Sequence, residues 1–183
     1  GENEMGIVNI AINADTISAI SNKELHADSI IIGNGKFVVP GLVNGHGHLW
    51  LEDHIKESYK AGVLANMGMH SGNQKRDDSL KQLSQKSGRA FYYSSKIAAT
   101  VPGGHPTHIT PNMETINDSI STTKWVDNRI SEGADYIKII KEGEPWFGSE
   151  QLSPTLSNDS IKKIIDYAKL NGKKVFVHIG TLQ

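Results

Sequence analysis

The sequence predicts an α/β chain: a small antiparallel sheet followed by part of a (β/α)8 barrel of the TIM type. Three observations predict it. Before residue 40 the chain is a run of short β-rich pieces separated by Asn- and Gly-containing turns. From Pro40-Gly41 onward, strand-like and helix-like stretches alternate, which implies parallel strands joined by helical crossovers. The count of those stretches is five strands and four helices, five-eighths of a barrel. A full barrel takes roughly 250 residues, and this chain has 183. The expected division is therefore 1–39 and 40–183. A chain ending on a central strand leaves an open edge, so the count predicts an incomplete polypeptide. The alternative is a complete five-stranded doubly wound sheet.

The elements follow in order. Gly6 to Ile12, Thr16 to Ile20, Ser29 to Ile32 and Lys36 to Val39 read as strands. Their separators, Asn13-Ala14-Asp15, Ser21-Asn22-Lys23 and Gly33-Asn34-Gly35, carry hairpin chemistry because Asn and Gly tolerate positive φ. Gly41 to Asn44 reads as a buried strand start, and Leu51 to Lys60 as a short helix. Gly62 to Met67 is the next strand, Asp77 to Lys86 the next helix, closed by Gly88. Ala90 to Ile97 is a strand, Ile116 to Glu132 a helix closed by Gly133, and Asp135 to Ile140 a strand. Asp159 to Leu170 carries Ile161, Ile164, Ile165 and Ala168 at helical spacing, with Asn158 or Asp159 as N-cap and Gly172 behind. Lys174 to Ile179 is the last strand. The long irregular stretches, 100–114 and 142–157, each follow the C-terminal end of a strand, where α/β folds place their chemistry.

Composition narrows the function. Nineteen Lys and Arg stand against 20 Asp and Glu, a net charge of −1. That balance argues against nucleic acid or an acidic membrane as partner, since both demand a positive excess. No apolar run approaches the roughly 18 residues of a membrane span. There is no cysteine, so any metal site must be built from His, carboxylate or a modified Lys.

Three motifs carry chemistry. His46 and His48, in Pro40-Gly41-Leu42-Val43-Asn44-Gly45-His46-Gly47-His48, are two apart, so on an extended strand both imidazoles face one side. Gly45 and Gly47 would leave room for an ion. Two neutral imidazoles make half of a first-row metal shell; a bare His-x-His can equally be a pair of surface histidines, but this one follows an apolar strand. Lys138, in Gly133-Ala134-Asp135-Tyr136-Ile137-Lys138-Ile139-Ile140, sits inside an apolar strand, on the same face as Tyr136 and Ile140. Desolvation of a buried ammonium lowers its pKa. The neutral amine can form a Schiff base or a carbamate, whereas a lysine at a strand end simply reaches solvent. His178 ends the strand Val175-Phe176-Val177-His178 and gains weight from the other two motifs.

Together these motifs resemble the amidohydrolase superfamily. Lys36 to His48 is similar to its first barrel strand, Gly133 to Ile140 to its fourth, and Val175 to His178 to its fifth. The Gly-Ala-Asp-x-Ile-Lys-Ile pattern and Gly103-Gly104-His105 look most like the imidazolonepropionase-like and prolidase-like branches. The resemblance implies that residues 1–39 are part of a small β-sandwich. It implies a metal-dependent hydrolase of amide, cyclic amide or peptide-like C–N bonds with a small-molecule substrate. It further implies two zinc ions: His46 and His48 on the more buried one, carboxylated Lys138 as bridge, His178 on the second. A histidine of strand six and an aspartate of strand eight complete such sites and lie outside this sequence, so the chain by itself is expected to be inactive. Asn44 stands where Asp is commoner in the family.

Weaker candidates are His105, as a substrate contact, a ligand-orienting group or a turn histidine, and Trp146 with Phe147, as walls of an apolar pocket or packing of a rim loop. His54 and His70 are expected to be exposed or to stand behind the ligands. Glu142 and Glu144 lie near the right end, with no pattern supporting them as acid or base. Three rival functions remain: a one-metal deaminase, against which Lys138 speaks; a Schiff-base aldolase using Lys138; and a non-catalytic partial domain that binds metal or a partner chain. Open strand edges predict association with a second copy or with a complementing C-terminal half.

Overall fold

The computed structural model describes residues 6–142, 145 and 151–180. The chain divides into two compact units, Gly1–Pro40 and Gly41–Gln183.

The first unit contains one antiparallel hairpin, β1 (Asn9–Asn13) and β2 (Thr16–Ser21), with a bulge between Ala11 and Ile12. The chain reverses over Ala14-Asp15. The left-handed residue is Ala14 (φ 55°), not the Asn that the turn chemistry favours. Residues 29–32 and 36–39 are not strands, contrary to expectation. Gly33-Asn34-Gly35 does make a tight turn, with Lys36 N–H donating to Gly33 O at 2.9 Å and Gly35 left-handed at φ 71°. A strand exists only through a partner that takes its backbone groups, and among the described residues neither segment finds one. Ile31 and Phe37 are accordingly 94% and 88% exposed.

The second unit alternates as β3 (Leu42–Gly47), α1 (Glu52–Lys60), β4 (Val63–Gly68), α2 (Gln74–Leu83), β5 (Phe91–Ser94), α3 (Thr122–Ser131), β6 (Ile137–Lys141), α4 (Asn158–Leu170) and β7 (Val175–Ile179). It is a mixed α/β fold with parallel strands. β3, β4 and β5 form one parallel sheet in that order, and β6 and β7 another. Among the described residues these strands do not close into a barrel. A single parallel bridge links the region after β5 to β6: Ala99 N–H donates to Lys138 O (2.8 Å), and Ile140 N–H to Ala99 O (3.0 Å). β3 is not buried as expected; Leu42 and Val43 are exposed, because β4 covers one edge and no described helix packs over these side chains.

Two helix starts differ from expectation. α2 begins at Gln74, three residues early, because the Asn73 side chain accepts the Arg76 N–H at 3.0 Å and caps a first turn that has no apolar residue. α3 begins at Thr122 rather than 116. The Asn117 side chain draws the N–H groups of Ser119 and Ile120 into a local turn (2.8 and 3.1 Å), and Ser121 caps the helix instead. α4 is capped by Ser157, whose hydroxyl accepts the Ser160 N–H at 3.1 Å, not by Asn158 or Asp159.

The main core forms where α3 and α4 pack on the outward face of β6. Trp125, Val126, Ile137, Ile139, Ile164 and Ala168 are fully buried there, with Leu156. Arg129 is buried beside them. It lies over the Trp125 ring (4.9 Å) and bonds Glu114 (2.8 Å) and Glu132 (2.6 Å), fastening the 101–116 loop to α3. A second cluster, Leu49, Ile55, Leu80 and Tyr92, seats α1 and α2 on β4 and β5. Truncating Ile139 to Ala removes a fully buried side chain from the first cluster. The expected loss is about 2–5 kcal/mol, read as a lowered urea midpoint with unchanged slope; a loss below about 1 kcal/mol would mean that β6 is not the centre of the core.

Candidate active site

The two faces of β6 separate structure from chemistry. Ile137 and Ile139 face the helices. Strand alternation turns Lys138 and Ile140 the other way, where both line a cavity of about 710 Å³. Lys138 is only 5% exposed, and burial lowers its pKa. Tyr136 lies on the same side. Its hydroxyl donates to Gly68 O at 2.8 Å, and its ring meets Phe176 of β7 edge-on at 5.0 Å.

The other walls come from residues that follow the C-terminal ends of β3, β4 and β5. His46 and His48 stand at the end of β3, Met69 and His70 after β4, and His105, Pro106, Ile109 and Thr110 in the loop beyond β5. A Cβ on Gly47 would meet Leu49 Cδ1 at 2.8 Å and Asn44 Nδ2 at 3.2 Å, so the backbone passes close there. A Cβ on Gly45 would meet nothing within 4 Å.

His46 remains an exposed residue. Partial burial first, then the positive potential of Lys138, His48 and His178, hold its pKa below the usual imidazole value. Its ring lies 5.4 Å from that of His48. Two imidazoles sharing a tetrahedral zinc at ordinary bond lengths would have ring centres about 5 Å apart, so this pair fits half a shell. Neutral imidazole is also the ligating form. Among the described residues, no group of three or more His or carboxylate side chains is arranged to hold a metal ion.

His178 does not line the cavity, yet it stands near enough to His46 for its charge to lower that imidazole's pKa. Its Nε2 lies 3.1 Å from Glu142 Oε2 and its ring 5.6 Å from His105. The β6–β7 register explains the contact. Ile140 pairs with His178, and Glu142 follows two residues later on the same face. His105 lines the cavity and lies 5.4 Å from the His108 ring. His54 is outside the cavity and accepts the Trp50 N–H on Nδ1 at 3.3 Å. Trp146, Phe147 and Glu144 lie outside the described residues.

Two cavity residues take roles that local spacing does not reveal: His70, expected only to be exposed or to stand behind the ligands and found half-buried in the cavity wall, and Arg76. His70 Nδ1 accepts the Ala98 N–H (3.1 Å), so its neutral ring carries the proton on Nε2, which donates to Thr110 Oγ1 (3.1 Å). One ring thus ties the end of β4 to two segments beyond β5. Burial is the main reason its pKa falls to about 4. In the unfolded chain an ordinary histidine titrates near 6.5. Between those values the unfolded chain binds the proton and the folded chain does not, so stability is lost as pH falls from about 6.5 to about 4. The full loss is on the order of 3 kcal/mol. His70→Gln, which keeps a donor and an acceptor, should flatten this part of a melting-temperature-versus-pH curve. A variant curve parallel to the parent would show that His70 does not titrate in this way.

No family model matches the sequence, and comparison with curated proteins finds no match. Solved structures do match. A Xaa-Pro dipeptidase with bound methionine in its active site aligns at a TM-score of 0.72 and 17% identity, over 93% of this chain and 51% of its own. A prolidase complexed with N-methylphosphonate-L-proline aligns at 0.75 and 19%, over 95% of this chain and 52% of its own. A bottromycin amidohydrolase aligns at 0.62 and 14%, over 94% and 34%. The chain spans about half the length of the first two structures. At these identities the likeness is one of fold, and the fold of this chain is amidohydrolase-like.

Proposed function

We propose that this chain is part of a metal-dependent hydrolase of carbon–nitrogen bonds, acting on amide, cyclic amide or peptide-like small molecules. The observation that carries the reading is the meeting of His46, His48 and buried Lys138 on one cavity at the C-terminal ends of parallel strands. Similarly folded proteins include a prolidase and a bottromycin amidohydrolase, which supports the same bond class. Strands β3 to β7 would be the first five staves of a (β/α)8 barrel, with 1–39 part of a β-sandwich. Neighbouring strands run in chain order, and the Ala99 bridge joins the two groups; a doubly wound sheet needs a reversal of strand order.

In this reading His46 and His48 would hold one zinc ion, and carboxylated Lys138, the expected bridge, and His178 would hold a second. Such ions lower the pKa of bound water and polarise a carbonyl. The chain's own residues do the rest. Burial favours the neutral amine of Lys138, whose lone pair can add to CO₂ with loss of a proton to water. His46 stays neutral and available. Trp50, Met69, Pro106 and Ile109 supply apolar walls that take up the apolar part of the substrate and exclude water. His105 would contact the substrate.

The test is zinc stoichiometry and chelator-sensitive hydrolysis of a panel of N-acyl amino acids and dipeptides by the full chain, with size-exclusion chromatography alongside. Zinc binding is expected, with chelator-sensitive turnover only in associated species, either a second copy or a complementing C-terminal half. Turnover insensitive to chelator, or a borohydride-trapped adduct at Lys138, would overturn the metal reading. Zinc binding without turnover even in associated species would favour a non-catalytic domain. That second reading draws support from the exposed apolar residues Leu42 and Val43 on β3, a surface suited to a partner chain.

A further inference from the structure

The cavity wall has an unusual charge pattern. Besides the histidines, its described residues include two cationic side chains, Lys138 and Arg76, and no carboxylate. Lys138 has a place in the proposed metal site; Arg76 has none. It stands in the first turn of α2, next to Ser71, Gly72 and Asn73, which also line the cavity. Among the described residues its guanidinium makes no ion pair. Its one side-chain hydrogen bond is a long one, from Nη2 to Ser71 Oγ at 3.5 Å, and its Nε is buried with no hydrogen-bond partner.

The nearest acids along the chain are engaged elsewhere. Asp77 accepts from the hydroxyls of Tyr92 and Ser94, and Asp78 from Lys96. A guanidinium offers five N–H donors in a fixed fork, and a buried one left unsatisfied is costly. Its geometry matches a carboxylate bidentately. The N-terminus of α2 opens on the same space and adds positive potential.

We propose that Arg76 is a specificity-determining residue that binds a free carboxylate of the substrate. The substrate class is then an N-acyl amino acid or short peptide with a free C-terminus. Trp50, Met69, Pro106, Ile109 and Pro111 make the rest of the wall apolar, which favours an apolar side chain beside that carboxylate. This inference rests on the hydrolase reading for the word substrate, but the carboxylate subsite can be tested without turnover.

The probe is N-acetyl-L-leucine against N-acetyl-L-leucinamide, titrated into the full-length chain and followed by calorimetry and tryptophan fluorescence, since Trp50 lines the cavity. The acid should bind at least about tenfold more tightly than the amide. Arg76→Gln should bring the ratio close to one with an unchanged melting temperature. Arg76→Lys keeps the charge without the fork and should retain a reduced preference; it also serves if the Gln variant does not fold. Equal affinity of the wild type for acid and amide, or a preference that survives Arg76→Gln, would overturn the assignment. Acid-selective binding without any hydrolysis, even in associated species, would leave the subsite standing and remove the hydrolase reading instead. If hydrolysis is found, the kcat/KM preference for acid over amide should collapse in Arg76→Gln.

Discussion

Replacing His46 and His48 together by Asn is expected to weaken zinc binding by more than about a hundredfold and to abolish chelator-sensitive hydrolysis. Even a residue that only supports a metal ligand is worth 10–100-fold in affinity, and here two ligands are removed at once. The fold should survive. Neither imidazole belongs to a core cluster, and the hydrogen bond that shapes the end of β3 runs from the His46 N–H to the Asn44 side chain at 3.2 Å, a backbone donor that the substitution keeps. The measurement is competition with a chromogenic chelator at fixed pH, with circular dichroism as the control for folding. His54→Asn is the matched substitution outside the cavity and should bind zinc like the parent. Equal zinc affinity in the double variant and the parent would mean that the pair are ordinary surface histidines, and the metal reading would go with them.

The strand–helix alternation after residue 41 was legible because each element carries a local signal. β6 is a run of buried Ile broken only by Lys138, and α4 repeats its apolar residues at helical spacing. A lysine in such a run is visible in the sequence because its burial contradicts its hydration. The failures share a different cause: they depend on partners distant in sequence or on a single side chain. Ile30 to Ile32 and Phe37 to Val39 have the composition of strands, but composition cannot supply a hydrogen-bonded neighbour. The starts of α2 and α3 are set by one cap each, Asn73 and Ser121, against the pull of the apolar pattern. His70 takes its role from Thr110, forty residues on, and Arg76 from what its neighbours fail to offer; neither relation leaves a trace in local spacing. His178 was legible as a strand-end histidine, while its pairing with Glu142 follows from register between β6 and β7.

Lys138→Ala should abolish hydrolysis, and in that variant a short carboxylic acid should restore part of it. The amine is buried on the cavity face, so truncation leaves a space open to the cavity, which a formate or acetate ion can enter. If the role of Lys138 is to carry a carbamate, a free carboxylate presents the same pair of anionic oxygens at the same place, and millimolar acetate should raise activity from background by tenfold or more. A Schiff-base lysine gives the opposite pattern: carboxylate cannot replace an amine nucleophile, and only a primary amine should rescue. Stability supplies an independent check. Removing a desolvated ammonium offsets the lost packing of its methylenes, so Lys138→Met, which keeps the volume, should be as stable as the parent or more stable by about 1–3 kcal/mol. The pH dependence carries a definite sign. The folded chain binds this proton less tightly than the unfolded chain, so the parent should gain stability relative to Lys138→Met as pH rises toward the unfolded lysine value of about 10.4. Rescue by acetate together with that pH trend would identify a buried amine whose function is to carry an acid. Rescue by methylamine, or no rescue by acetate at zinc saturation, would remove the bridging role from Lys138.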